Sequence, residues 1–457
     1  MAEVAATAIA VAAASADRAT RTPRAGAPAE LTTLPDGIEL TELEDGLRVV
    51  TEVVPSVRSV TLGLWVRTGS RDETPAQAGV SHFLEHLLFK GTERHSAIEL
   101  SEYFDGLGAA TNAATGKETT HLYSRFVDEH TEGAFDVLAE MFLKPTFPEI
   151  DSERQVVIEE IAMYEDEPSD RVHDVLANAV FGDHPLGRRV LGSAEVIAEV
   201  PIPEISRYHQ ARYVGSNIVV SAAGSLEHER IVELAGRYLN PPVSAAAPPD
   251  LSEPADEPSL IFYPKETEQY HICFGAPGIA RDDERRWTLG ALDAIFGGAT
   301  SSRLFREIRE TRGLAYSVGS YSDQYLERGM VAMYVGTREE NVAEACEIIG
   351  RELELLRAEG VGAEELARAK EHIKGRTVLA LESTPGRMSR NARSALFALP
   401  FLSIDEIIAK VDAITAEDVI ELARELYAPE RLSAACIGPD SARFRDAVAS
   451  VSEALAA

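Results

Sequence analysis

Ser81-His82-Phe83-Leu84-Glu85-His86-Leu87-Leu88-Phe89 is a short apolar stretch that carries two histidines and a glutamate. Gly79 and Ser81 supply turn and helix-start chemistry ahead of it, and Gly91 offers a stop behind it. Read as a helix, the stretch places His82 and His86 one turn apart on one face, with Glu85 on the same side. Two imidazoles so placed can reach one small cation, and a borderline-soft ion such as zinc suits nitrogen ligands. Glu85 then meets a metal-bound water rather than the metal, which is where a general base has to sit. The competing reading is a half-buried helix whose two histidines are satisfied by ordinary packing.

The spacing H-x-x-E-H is the reverse of the H-E-x-x-H arrangement of zinc peptidases and is itself a known zinc-peptidase pattern. A catalytic zinc usually takes three protein ligands and leaves one position open. Asp151 to Glu167 reads as a helix that opens with capping residues and acidic charge. Glu153 and Glu160 are seven apart and share a face, with Val156, Val157 and Ile161 expected around them. A carboxylate on an apolar face needs a partner, and a dication is one. Without the histidines the same glutamates would read as a solvated acidic face.

An internal repeat is the second strong signal. The strand candidate Ser59 to Val66 runs into Gly69-Ser70-Arg71-Asp72-Glu73, and Tyr270 to Ala276 runs in the same manner into Ala280-Arg281-Asp282-Asp283-Glu284. Tyr208 to Tyr213 leads to the strand Ile218 to Gly224, as Leu426 to Pro429 leads to Leu432 to Gly438. Between the copies, Pro241 to Pro258 holds six prolines in eighteen residues and reads as a semi-stiff exposed linker. Each copy alternates strand-like and helix-like segments, so the expectation is an α+β chain of two homologous α/β-sandwich domains. The boundaries read as a disordered Ala-rich extension over 1–35, a zinc-binding domain over 36–240, the linker over 241–258 and a metal-free domain over 259–445. The second copy has Trp287 to Asp293 where the first has its histidines, with no metal-ligand pair.

Composition narrows the partners. The chain has 457 residues, enough for several cores at 45% hydrophobic content, and no stretch long and apolar enough to span a bilayer. A formal charge of −31 argues against nucleic acid or an anionic membrane and is compatible with peptide substrates or plain solubility. Cys273, Cys346 and Cys436 are too few and scattered for a disulfide framework, which fits a reducing compartment. Glu3 stands where a secretion signal carries positive charge, and Arg18, Arg21 and Arg24 are offset by Asp17 and Glu30. A cytoplasmic, bacterial-type location is expected ahead of an organelle matrix.

His82-Phe83-Leu84-Glu85-His86, taken with Glu153-Arg154-Gln155-Val156-Val157-Ile158-Glu159-Glu160, resembles the pitrilysin/insulinase family of inverted-motif zinc peptidases. The likeness covers about residues 36 to 440 and is strongest to the short-chain, processing-peptidase-like branch. The resemblance implies one zinc per chain, held by His82, His86 and Glu160, with Glu85 as base and Glu153 orienting a ligand. Glu159 is the rival third ligand. In the family the two halves close like a clamshell around a chamber. An arginine and a tyrosine seven apart in the second half, here Arg309 and Tyr316, meet the substrate carbonyl or the developing oxyanion; unaided, Arg309 reads as a surface charge and Tyr316 as packing. The Gly/Ala-rich stretch Gly106 to Thr115, with Asn112 and Ala113, is implied as a sheet edge to which substrate adds as a strand. His184 to Arg188 also matches and reads as structural, and His95, His121 and His173 have no partner at ligand spacing.

The implied function is a zinc metalloendopeptidase acting on extended or unfolded peptides, as a homodimer or beside a related subunit. The alternatives are a scaffold or substrate-recognition subunit, which some metal-free relatives are, and a zinc hydrolase that does not cleave peptides.

Overall fold

The computed structural model describes residues 30–148, 150–242, 250–254 and 257–456. Seven strands form one sheet: β1 (Glu30–Thr33), β2 (Ile38–Glu42), β3 (Arg48–Val53), β4 (Ser59–Val66), β5 (Ala110–Thr115), β6 (Thr120–Val127) and β7 (Ile218–Gly224). Their order is β1-β2-β3-β7-β4-β6-β5. Five more, β8 (Leu260–Pro264), β9 (Tyr270–Gly278), β10 (Ala315–Gln324), β11 (Gly329–Thr337) and β12 (Ser433–Gly438), form a second sheet in the order β10-β11-β9-β12-β8.

The repeat read from the sequence is a repeat of topology. In the first sheet β3 pairs parallel with β7, which pairs antiparallel with β4, which pairs antiparallel with β6, which pairs with the edge strand β5. In the second, β8, β12, β9, β11 and β10 follow in the same sequence of parallel and antiparallel pairings. The β1–β2 hairpin is the addition that distinguishes the first sheet. The chain is thus the expected α+β clamshell of two homologous sandwiches.

The continuous burial of β4, β7, β9 and β12 requires cover on both faces of each sheet. On one face each half uses its own helices. Phe83, Leu84 and Leu87 of the helix Val80–Leu87 and Phe135, Leu138 and Phe142 of the helix Thr131–Leu143 join Leu62, Leu64 and Val220 in the first core. The other face is covered by exchange. Met388, Ala392, Ala395 and Leu396 of the helix Thr384–Phe397 pack against Ile38, Val50, Trp65 and Val219 of the first sheet. Val172, Leu176 and Val180 of the helix Pro168–Phe181 pack against Cys273, Ala332, Ala435 and Ile437 of the second. Each fully buried aliphatic side chain contributes about 1.5–3 kcal/mol, so the exchange ties the halves together firmly.

Several expectations about boundaries change. Glu30–Thr33, placed in the extension, is a strand because its backbone pairs with β2, while residues 1–29 lie outside the described residues. The second half does not end at 445: the helix Ser441–Val448 continues its apolar face, and Ala447, Val448 and Val451 complete that core. Of the Pro-rich linker, residues 243–249 and 255–256 lie outside the described residues. The Asp250 carbonyl accepts from Arg71 Nη2, and the Ser252 carbonyl pairs with His184 Nε2 at 2.9 Å. The helix of the central motif stops at Leu87, short of Gly91, which takes φ +130° and bridges to Ser96 instead.

Candidate metal centre

The helix Val80–Leu87 turns its apolar face into the first core and leaves Glu85 and His86 half-buried on the other side, with His82 8% exposed between them. The helix Ile150–Asp166 lies against it. Glu153, Val157 and Ile161 face inward and Glu160 is half-buried beside the histidines. Val156, expected on that face, is 51% exposed, because the buried stripe runs through Ile150, Glu153, Val157 and Ile161 and Val156 lies about 100° round the helix from Val157. Glu159 is also exposed.

His82, His86 and Glu160 converge. The two Nε2 atoms are 3.2 Å apart, and Glu160 Oε2 is 3.3 Å from His86 Nε2 and 3.6 Å from His82 Nε2. Zinc bonds of 2.0–2.1 Å in a tetrahedron require ligand atoms about 3.3–3.4 Å from one another, so the triangle fits a zinc ion with one position left open. The donor set of two imidazoles and one carboxylate is of the catalytic type. It is the one group of three metal-ligating side chains found among the described residues.

Protonation is consistent with metal binding, which needs neutral imidazoles. Burial lowers the pKa of His82 to about 4, assisted by the neighbouring His86. His86 donates its Nδ1 proton to Glu153 Oε1 at 2.8 Å, which leaves Nε2 with its lone pair directed at the cluster. Glu153 is 4% exposed and also takes Lys90 Nζ at 2.6 Å, so the carboxylate that orients His86 is itself held by a cation. Carboxylates in that position tune the metal as well as the ligand. Glu153→Gln is expected to weaken zinc binding by about 10–100-fold, measured by competition with a chelating dye. Arg154, next to Glu153, fastens the same helix by donating to the Val200 carbonyl at 3.0 Å and lies 5.4 Å from the Phe83 ring centroid.

Glu85 is not in the triangle. Burial raises its carboxyl above the ordinary value, and hydrogen bonds from the hydroxyl and N–H of Thr115 oppose that rise. Thr115 is the last residue of β5, the free edge of the first sheet. The Ala113 N–H donates to the side-chain oxygen of its neighbour Asn112 at 2.9 Å. Alternation along the strand then directs the main-chain groups of Thr111, Ala113 and Thr115 to the open edge, and those of Asn112 and Ala114 to β6.

Arg309 and Tyr316 lie in the second half. The segment Phe305–Thr311 winds as a π-helix, and Gly313 at φ +64° turns the chain into β10. The Arg309 guanidinium carbon stands 4.6 Å from the Phe305 ring centroid and 4.4 Å from that of Tyr316, and Tyr316 is 79% exposed at the sheet edge. Neither touches His82, Glu85, His86 or Glu160 among the described contacts. Three remaining histidines have other partners: His95 binds Glu140 at 3.0 Å, His121 stacks on Trp65, and His173 bonds the Tyr321 hydroxyl at 2.7 Å.

Sequence reading missed Lys90, Thr115 and Glu73. Glu73 accepts from the N–H groups of Gly79 and Ser81 at 2.8 and 2.6 Å. Lys90 sits four residues past His86, a spacing that could have flagged it; Thr115 and Glu73 reach the helix only through tertiary contacts.

Residues 48–194 match the family described as Insulinase (Peptidase family M16), and residues 200–373 match the one described as Peptidase M16 inactive domain. An uncharacterized zinc protease of Streptomyces coelicolor is 40% identical over 428 residues, covering 90% of this chain and 93% of the relative. The uncharacterized zinc protease YmxG of Bacillus subtilis is 41% identical over 398 residues, covering 87% and 97%. Among solved structures, a protease from Helicobacter pylori superimposes with a TM-score of 0.82 at 22% identity, over 88% of this chain and 99% of that one, a likeness of fold.

Proposed function

The chain belongs to the insulinase (M16) family of peptidases, and we propose that it is a zinc-dependent metalloendopeptidase acting on extended, unfolded peptide segments. The observation that carries this reading is the triangle of His82 Nε2, His86 Nε2 and Glu160 Oε2 with sides of 3.2, 3.3 and 3.6 Å, with Glu85 beside it on the same helix. His82, His86 and Glu160 would hold the zinc. When bound, zinc supplies Lewis acidity to a water molecule and to a carbonyl.

The protein side of the reaction follows from position. Glu85, held by Thr115, takes a proton from the attacking water and passes it to the leaving amine. The substrate adds to the open edge of β5, exchanging main-chain hydrogen bonds with Thr111 and Ala113. Asn112 releases the Ala113 N–H that its side chain occupies in the free chain. A folded protein cannot offer such a strand, which restricts the substrate to extended segments. Arg309 and Tyr316, both hydrogen-bond donors, meet the substrate carbonyl or the developing oxyanion from the second half. The three cysteines are free, consistent with a cytoplasmic setting.

The test is cleavage of an unstructured basic peptide by the purified chain, with and without a zinc chelator. Cleavage that is lost on chelation and restored by one zinc per chain is the expected result. Cleavage that survives complete removal of zinc rejects the proposal.

A further inference from the structure

The two imidazoles of the triangle are held in different ways. His86 is aimed through its own ring, whose Nδ1–H donates to Glu153 at 2.8 Å. His82 has no such partner, and its Nδ1 is buried with no hydrogen bond among the described residues. The direction of the His82 ring therefore depends on the backbone that carries it and on the packing around it.

That backbone is the first turn of a helix only eight residues long, where the leading N–H groups lack intrahelical acceptors. The N-cap is Gly79, at φ +96°, with no side chain to accept from them. No larger residue fits there, since a Cβ on Gly79 would lie 2.6 Å from the Leu191 carbonyl oxygen. The helix cannot cap itself from within its own sequence.

Glu73 caps it from outside. Its Oε2 accepts from the Gly79 N–H at 2.8 Å and its Oε1 from the Ser81 N–H at 2.6 Å, while burial pushes the carboxyl up to about 8. The side chain is 4% exposed and stands at the positive end of the helix dipole. The turn that presents it is anchored on both sides. Arg71 binds Glu118 and, across to the second half, Glu327 at 2.7 Å, while Asp72 takes Arg212 at 3.2 Å. Ser81 is fixed again through its hydroxyl, 2.8 Å from that of Tyr208.

We propose that Glu73 is the positioning residue for His82, doing through the backbone what Glu153 does for His86 through the ring. It seats the first helical turn in the ligand geometry before any metal arrives. The inference rests on the metal-centre reading above.

The test measures metal binding, not turnover. Glu73→Gln removes one of the two acceptors, and Glu73→Asp shortens the reach. In either variant that folds, judged by circular dichroism, the zinc Kd is expected to rise by about 10–100-fold, the range seen for outer carboxylates of zinc sites. The visible absorption of the cobalt-loaded chain should change with it, since that signal reports ligand geometry. A purely structural cap would lower the melting temperature and leave both readouts unmoved; a folded variant that binds zinc within twofold of wild type with the same cobalt spectrum overturns the proposal. Hydrogen exchange on the wild-type, metal-free chain provides a test that needs no variant. The amides of Gly79 and Ser81 are expected to be protected there, and exchange at unprotected rates overturns the claim that the turn is seated in advance. If the wild-type chain binds no zinc at all, the metal centre falls and this inference with it; if it binds and the Glu73 variants match it, only this inference falls.

Discussion

Glu85→Gln is expected to leave one zinc bound per chain and to lower kcat/KM by about 10²–10⁴-fold, the contribution typical of a general acid–base residue. The substitution is nearly isosteric. The Gln carbonyl can still accept from Thr115, so the contact between the helix Val80–Leu87 and the end of β5 persists. What disappears is the carboxylate, and with it the group that can take the proton of the attacking water. Glu85 lies outside the three side chains that converge, so its loss leaves those candidate ligand atoms in place. Zinc content by elemental analysis, melting temperature and peptide cleavage on the same preparation separate these effects. Cleavage at the wild-type rate by a zinc-loaded Glu85→Gln chain would remove Glu85 from the mechanism.

His82→Ala is expected to lose zinc and cleavage together. Two of three donors then remain, His86 Nε2 and Glu160 Oε2 at 3.3 Å, and two ligands do not make a catalytic zinc site. The loss of affinity should exceed the 10–100-fold that removing an outer carboxylate costs. The fold should survive, because the core beneath the helix is built from Phe83, Leu84 and Leu87 and does not use the imidazole. The contrast between the two variants carries the weight: one abolishes turnover with metal retained, the other abolishes both. A His82→Ala chain that keeps a full equivalent of zinc would overturn the ligand assignment.

Much of the candidate site was legible because it is local. His82, Glu85 and His86 lie within five residues, and helical periodicity alone puts the histidines on one face. The helix at Asp151 to Glu167 and the shared face of Glu153 and Glu160 were legible for the same reason. The repeat was legible because each copy has to build the same series of strand pairings, and the runs Ser59–Val66 and Tyr270–Gly278 are apolar throughout. Periodicity does not say how a helix is rotated about its axis when it meets another. Val156 therefore faced outward against expectation, while Glu160, not Glu159, turned to the histidines.

The sequence by itself brought forward His82 and His86 as the candidate ligand pair, Glu85 as the candidate base and the two-copy plan, since each rests on spacing within a segment or on comparison of one segment with another, while the family came from likeness to known peptidases. Only the tertiary structure decided that the helices Pro168–Phe181 and Thr384–Phe397 each cover the sheet of the opposite half. An amphipathic helix shows that it has an apolar face, and one buried sheet face satisfies that need as well as another. The same holds for Glu73 on the first turn of the ligand helix, for Lys90 behind Glu153, and for Arg71 reaching Glu327 across the halves. A buried charge must find a partner, and packing alone selects which one comes within reach.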